Sequence, residues 1–348
     1  MERQDEKRRM RYCRLGKTEL NVSIIGFGCN QIGSGNRGYK EFGAAKDAIF
    51  HAIDEGVNYF DTADVYGDRR SEEWLGEILG SERKRTIIST KAGLTGDGGR
   101  NGHPDHLKCS LENSLRKLKT DYVDIFYLHR KDPEVPLAES LGAINELVQE
   151  GKVRFGGISQ LDLEDLETVK NNSTVSCVQY CLNVFDFQTV YSVLPVIKDK
   201  KYGLLTYSPM ASGWILKKKY YRLKNSKFPF LCHGYYRPEF PVYKEVCKLA
   251  DECRVKINQL ALNWILSHHD VDSVVLGSSS WGQLHENIKA LEAEIPSELI
   301  TRLNGIIQMN MFKKHSIRNI VWNTGLKAKK LLNQIKVAML KLMHENLK

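Results

Sequence analysis

Three features of the sequence predict an α/β protein folded as a closed (β/α)8, or TIM, barrel. Eight short, β-rich apolar runs alternate with longer stretches of helical periodicity between about residues 22 and 310. The runs are nearly continuous in apolar residues, as in Val-Asp-Ile-Phe-Tyr-Leu and Ser-Val-Val-Leu, which is how parallel strands covered on both faces read. Charged and hydroxylated residues gather where these runs end, and the C-terminal ends of barrel strands are where chemistry is placed. A doubly wound open sheet is the alternative architecture.

The elements follow in order. Residues 1–9 are a charged N-terminal tail. Segments 10–14 and 19–22 flank the turn Leu15-Gly16-Lys17-Thr18, predicting a β-hairpin placed to plug the bottom of the barrel. The eight strands are expected at 22–28, 59–63, 86–90, 122–128, 154–159, 177–182, 203–207 and 271–276. Apolar residues at i, i+3, i+4 and i+7 predict helices that include 44–54, 71–79, 105–118, 137–149 and 241–251. Gly56, Gly80 and Gly151 fall just past three of them, where a helix ends on a left-handed residue. Two connections are long, 91–106 and 209–240, and long loops on a barrel's C-terminal face carry function. The barrel spans 10–310 as one domain, and 311–348 forms a basic, amphipathic helical extension.

Composition narrows the function. With 42% apolar and 27% charged residues, the chain is globular. No run of 18 apolar residues exists to span a membrane, and residues 1–11 lack the apolar core of a secretory signal. The net charge of +9 hints at nucleic acid, but its location argues otherwise. Residues 311–348 carry nine Lys or Arg against one acid, Glu345, and residues 1–11 carry five basic groups against three acidic, which leaves −1 for 12–310. The body between is nearly neutral, so no nucleic-acid groove is expected. Eight scattered cysteines without a CxxC motif predict free thiols in a reducing, cytoplasmic compartment.

Two phosphate-like motifs fail. Gly16-Lys17-Thr18 ends like a P-loop, but the required upstream glycine is Arg11. Gly26-Phe-Gly28 begins a dinucleotide fingerprint whose third glycine would be Gln31. No HxxxH, CxxC or HExxH spacing occurs, so no metal is expected. The chemistry lies instead at strand ends: Phe60-Asp61-Thr62-Ala63-Asp64-Val65-Tyr66-Gly67, then Ser89-Thr90-Lys91, then Tyr127-Leu128-His129-Arg130. A charge at the end of an apolar strand is costly unless paired, and Asp61 and Lys91 end adjacent strands. An ammonium near Tyr66 is expected to lower its pKa towards working pH and make it a general acid. His129 is placed to hold a substrate oxygen.

These motifs resemble the aldo-keto reductase superfamily. The resemblance runs from about residue 10 to 310. It adds Val22-Ser-Ile-Ile-Gly-Phe-Gly28, Glu150-Gly-Lys-Val-Arg-Phe-Gly-Gly-Ile-Ser159, Val178-Gln-Tyr180, Tyr207-Ser-Pro209 and Gly277-Ser-Ser-Ser280 with Glu286-Asn287. It implies hydride transfer between a nicotinamide cofactor and a carbonyl or alcohol, with no metal. By similarity Tyr66 is the proton donor, Lys91 and Asp61 tune it, and His129 orients the substrate. Ser159, Gln160 and Gln179 match the carboxamide contacts, the usual Asn being replaced by Gln160. Tyr207 matches the ring that stacks on the nicotinamide, and Ser208, Met210 and Gly213 match the loop over the pyrophosphate. Gly277, Ser278, Ser279 and Gln283 match the 2′-phosphate segment, and Glu286 and Asn287 match the adenine contacts.

One departure bears on cofactor choice. NADP-using relatives carry Lys or Arg around 277–283, and here the segment is uncharged. The expectation is NADP (NADPH), with NAD possible. Asn30 and Gln31 follow the first strand, where polar groups either suit a sugar-like substrate or only solvate the rim. In the extension, Ala328, Leu331, Leu332, Ile335, Ala338, Met339, Leu342 and Met343 form one apolar stripe with lysines beside it. It is expected to dock on its own barrel or a second subunit, on an anionic membrane, or on a partner protein. An alternative to an enzyme is a cofactor-binding regulatory or scaffold subunit that uses this helix as its contact.

Overall fold

The computed structural model describes residues 10–35, 38–169, 172, 174–186, 189–216 and 241–311. Eight parallel strands close into a barrel in the order β10-β3-β4-β5-β6-β7-β8-β9. They are β3 (Ile25–Gly28), β4 (Tyr59–Asp61), β5 (Ile87–Ala92), β6 (Val123–Leu128), β7 (Val153–Ser159), β8 (Val175–Cys181), β9 (Gly203–Tyr207) and β10 (Ser273–Gly277). The closed sheet excludes the open doubly wound alternative, and every predicted strand overlaps an observed one.

Outside the barrel lie α1 (Phe42–Asp54), α2 (Ser71–Leu79), α3 (Pro104–Leu118), α4 (Leu137–Gln149), α5 (Leu163–Thr168), α6 (Leu194–Lys200), α7 (Pro241–Glu252), α8 (Ile257–Leu266), α9 (Trp281–Lys289) and α10 (Ser297–Met311). Gly56 and Gly151 follow α1 and α4 with φ of 90° and 74°, the left-handed ends the sequence predicts. α8 escapes the periodicity argument for a physical reason. Leu260, Ala261, Leu262, Trp264 and Ile265 are all buried, so little polar face is left to alternate with.

The predicted first strand, 22–28, is in fact two. β1 (Tyr12–Arg14) pairs antiparallel with β2 (Asn21–Ser23), and the chain then turns at Ile24 into β3. The Asn58 side chain holds the break by accepting from the Ser23 N–H at 2.7 Å, while the Ser23 hydroxyl donates to the Ile25 carbonyl at 2.6 Å. Gly16, at φ 50°, lies against the Gly203 backbone where a Cβ would fall 2.1 Å from its nitrogen, so the turn needs glycine there. Leu15, Leu20 and Val22 of the hairpin are buried with Tyr59, Ile87, Ile125, Tyr127, Cys177, Leu205 and Val275. The hairpin therefore plugs the barrel floor, and the barrel interior is a packed core rather than a pore.

The second, larger core lies between sheet and helices and holds residues of the opposite strand parity, such as Phe60, Ile88 and Phe126. Successive side chains of a strand face opposite ways. Tyr59, Ile87, Ile125 and Tyr127 point inward low in the barrel, so Asp61, Lys91 and His129, of the same parity, are carried inward at its mouth. The tail 1–9, the stretch 217–240 and the extension from 312 onward lie outside the described residues. Among the described residues no helix is long and apolar enough to cross a membrane, and the seven described cysteines are free thiols.

Candidate active site

The parity argument has a direct geometric result. Lys91 Nζ donates to Asp61 Oδ2 at 2.7 Å and to the Thr62 carbonyl at 2.8 Å, and the lysine is wholly buried. Asp61 Oδ1 accepts from the Ser89 hydroxyl at 2.8 Å, from Gln179 Nε2 at 2.8 Å and from the Tyr59 hydroxyl at 3.3 Å. A buried ion pair survives only when its lone pairs and protons find partners, and here the carboxylate accepts four hydrogen bonds and the ammonium donates two. Tyr66 comes from the turn beyond β4. Its ring lies with Lys91 Nζ 4.8 Å from the centroid and meets the His129 ring edge-on at 5.6 Å. Gly67 lets the turn close: its φ is 56°, and a Cβ there would fall 1.7 Å from the Ile32 carbonyl oxygen.

The electrostatics correct the expectation that Lys91 lowers the Tyr66 pKa. Burial pushes it up, the Asp61 carboxylate pushes further, and the Arg130 guanidinium offsets only part. The physical reason is that Lys91 is already neutralised by Asp61, so little net positive field reaches the phenol while desolvation remains. Tyr66 therefore rests as a neutral phenol, and it has no hydrogen-bond partner among the described residues. Burial, with Lys91 and Arg130 alongside, pushes His129 well below the usual histidine range. The ring is neutral, and its Nδ1 is buried without a hydrogen-bond partner.

These groups open into a cleft of about 2550 Å³ on the C-terminal face, lined from Asn30, Tyr66 and His129 through Tyr207 to Glu286. Drug-sized pockets run to roughly 300–1,000 Å³, so the cleft has room for something longer. A sequence model of the Aldo/keto reductase family matches residues 24–308. The chain belongs to the Aldo/keto reductase family. It is similar to L-galactose dehydrogenase of Arabidopsis thaliana, 31% identical over 90% of this chain and 97% of the relative. It is also similar to the uncharacterized oxidoreductase YqkF of Bacillus subtilis (strain 168), 29% identical over 88% of this chain and 99% of that one. Among solved structures it resembles the holo form of aldo-keto reductase AKR11C1 from Bacillus halodurans, with TM-score 0.74, 26% identity, and coverage of 88% and 99% of the two chains. The protein is thus an oxidoreductase, of a family that acts on small carbonyl compounds and generally uses NAD(P)H.

All the residues matched by resemblance to an aldo-keto reductase cofactor site line this one cleft. Several have commitments the sequence does not show. Gln179 gives its amide N–H to Asp61. Gln160 sits at φ 53°, and its Oε1 accepts from the Cys181 N–H at 3.0 Å, so one of that oxygen's two lone pairs is taken. The Ser278 hydroxyl shares a hydrogen bond with Tyr39 at 3.0 Å, and Gln283 Oε1 accepts from the Ser279 N–H and hydroxyl. Asn287 accepts from Asn258 Nδ2 at 3.1 Å. Ser159 is buried with no partner for its hydroxyl among the described residues, and Gln31 Oε1 is buried and unsatisfied. Asn30 is exposed on the rim of the cleft.

Lys256 is a residue the sequence argument missed. It lies at the start of α8, and its Nζ reaches Glu286 Oε1 at 3.0 Å, beside the uncharged segment 277–283. Nothing local marks it, because the thirty residues between include a helix and a strand.

Asp64, two residues before Tyr66, carries a pH signature. Its carboxyl is pushed up to about 7, by burial first and by the Glu72 carboxylate second. The folded state then holds this proton more tightly than the unfolded chain, whose Asp titrates near 3.9. Asp64's contribution to stability is full below about pH 4 and lost as pH rises towards 7. Asp64→Asn is expected to match the wild type in urea unfolding at pH 4. It should exceed the wild type by on the order of 1–3 kcal/mol at pH 7.5.

Proposed function

We propose that the protein transfers hydride between NADP(H) and an aldehyde, ketone or the corresponding alcohol, with Tyr66 as the general acid or base, and that it also accepts NAD. The observation that carries this is the convergence of a neutral phenol, a neutral imidazole and a satisfied Lys-Asp pair at one end of a long cleft. The residues present fit the cofactor. Ser159, Gln160 and Gln179 would face its carboxamide and Tyr207 its pyridine ring. Ser208, Met210 and Gly213 would cover its pyrophosphate, and the segment from Gly277 through Asn287 would take the adenosine end. The cofactor, when bound, supplies the hydride.

The chain's own residues do the rest. The substrate oxygen is held between the Tyr66 hydroxyl and the His129 ring. His129, being neutral, donates from one nitrogen without giving up a proton. As negative charge grows on that oxygen, Tyr66 gives it a proton, and the Lys91 ammonium packed against its ring holds the phenol in place for the transfer. In the direction of alcohol oxidation the same phenol, once deprotonated, takes the proton back. Depth in the barrel mouth keeps bulk water from competing for either step.

Lys256 supports NADP. Its ammonium supplies at the adenosine end the fixed charge that 277–283 lack, by exchanging Glu286 for a 2′-phosphate. Because the pair is exposed, the effect is modest: Lys256→Met is expected to weaken NADPH binding about two- to fivefold and leave NADH binding unchanged. Tryptophan fluorescence titration checks this. The same titration, followed by a panel of aldehydes, ketones and sugars with the preferred nucleotide, tests the function itself. Tight nucleotide binding with no turnover on any member of the panel overturns the enzyme reading in favour of a cofactor-binding subunit.

A further inference from the structure

The residue after His129 carries a charge that no carboxylate answers among the described residues. Arg130 is half-buried in the loop just past β6 and lines the cleft with Tyr66, His129 and Tyr207. Of its five N–H donors, the one engaged donates to the Tyr207 hydroxyl at 3.5 Å, the outer limit of a hydrogen bond. No carboxylate pairs with it among the described residues. Its neighbours differ in this respect. Lys131 pairs with Asp165 at 2.6 Å, Lys91 with Asp61, and Arg154 and Arg83 with Asp124. Its field is felt across the mouth: it opposes the upward push on Tyr66 and Tyr207 and adds to the downward push on His129. Half-burying a guanidinium without a counter-ion costs free energy, and a planar fork of donors matches a carboxylate or phosphate in two-point contact.

We infer that Arg130 is the anion-recognising subsite of the substrate pocket, and that the protein's substrates are carbonyl compounds or alcohols that bear an oxyanion, a carboxylate or a phosphate. This rests on the proposed reduction at Tyr66 and names its substrate class. The substrate oxygen lies between Tyr66 and His129, and its anionic group reaches the guanidinium of the next residue along the chain. Tyr207 flanks the same guanidinium and limits how it can turn.

The test compares paired substrates, so that any effect of Arg130 on Tyr66 cancels. The pairs are 4-carboxybenzaldehyde against its methyl ester, and glyceraldehyde 3-phosphate against glyceraldehyde. The wild type is expected to prefer the charged member of at least one pair through a lower KM, and that pair names the anion. Arg130→Gln should cut the charged-to-neutral ratio of kcat/KM by about 10- to 100-fold, the worth of a charge-assisted hydrogen bond. Arg130→Lys should restore part of it. A wild type indifferent to charge in both pairs, or a ratio within twofold of wild type in Arg130→Gln, overturns the inference while leaving the carbonyl reductase reading intact.

A binding measurement stands apart from turnover. Calorimetry with benzoate and with inorganic phosphate, in the presence of NADP, should show at least one of them binding about tenfold or more weakly to Arg130→Gln than to wild type. Equal affinities for both anions overturn the inference even if no carbonyl on the panel is reduced. Absence of turnover with a retained benzoate difference would fault the reaction at Tyr66 rather than the anion subsite.

Discussion

Tyr66→Phe is expected to lower kcat for carbonyl reduction by about 10²- to 10⁴-fold, the usual worth of a positioned general acid, with nucleotide binding intact. The substitution removes one oxygen from a ring whose packing against His129 and Lys91 stays in place. Tyr66 makes no hydrogen bond that the change would break, so stability should hold. Because its pKa is pushed up rather than down, the group is in its acid form at every pH at which the protein is folded near neutrality. Reduction should therefore show no loss of rate from Tyr66 between about pH 6 and 8. Oxidation of the alcohol needs the phenolate and should speed up as pH rises. Stopped-flow single turnovers in both directions measure this, and a Tyr66→Phe rate within threefold of wild type would remove the phenol from the mechanism.

The largest stability effect is expected at Lys91. Lys91→Met leaves the Asp61 carboxylate buried with hydroxyl and amide donors but no counter-ion. Removing one partner of a buried pair costs about 3–5 kcal/mol, read as a lower urea midpoint. Replacing both members, Lys91→Met with Asp61→Asn, removes the orphaned charge while keeping an oxygen for the Ser89, Gln179 and Tyr59 donors, and is expected to recover most of that stability. Activity should not return in the double variant, since the ammonium beside the Tyr66 ring is gone. A double variant that is stable but inactive would separate the two roles of the pair. A single variant as stable as wild type would show that water reaches Asp61.

How much of this could be read from the chain differs residue by residue. Asp61, Lys91 and His129 were legible because each closes an apolar run, on three consecutive strands. That they point inward follows only once Tyr59, Ile87 and Ile125 face the interior, since residues an even number further along face it too. The hairpin was legible for a similar reason, two short runs around a glycine turn. The division of 22–28 into two strands was not, because the bend at Ile24 depends on Asn58, which is far along the chain and docks on Ser23. α8 was hidden by its own burial. Lys256 was illegible because its meeting with Glu286 is a result of helix packing around the barrel.

The order of residues by itself determined the β/α alternation, the ends of five helices to within a residue or two, and the placement of Asp61, Lys91 and His129 at the ends of three consecutive apolar runs. These follow from local geometry, which repeats every 2 or 3.6 residues and needs no knowledge of what lies opposite. Tertiary structure alone decided the sign of the Tyr66 shift, the capture of Gln179 and Ser278 by Asp61 and Tyr39, and the lack of a carboxylate partner for Arg130 among the described residues. Each of these depends on how much water is excluded and which distant group arrives, and both are set only when the barrel closes.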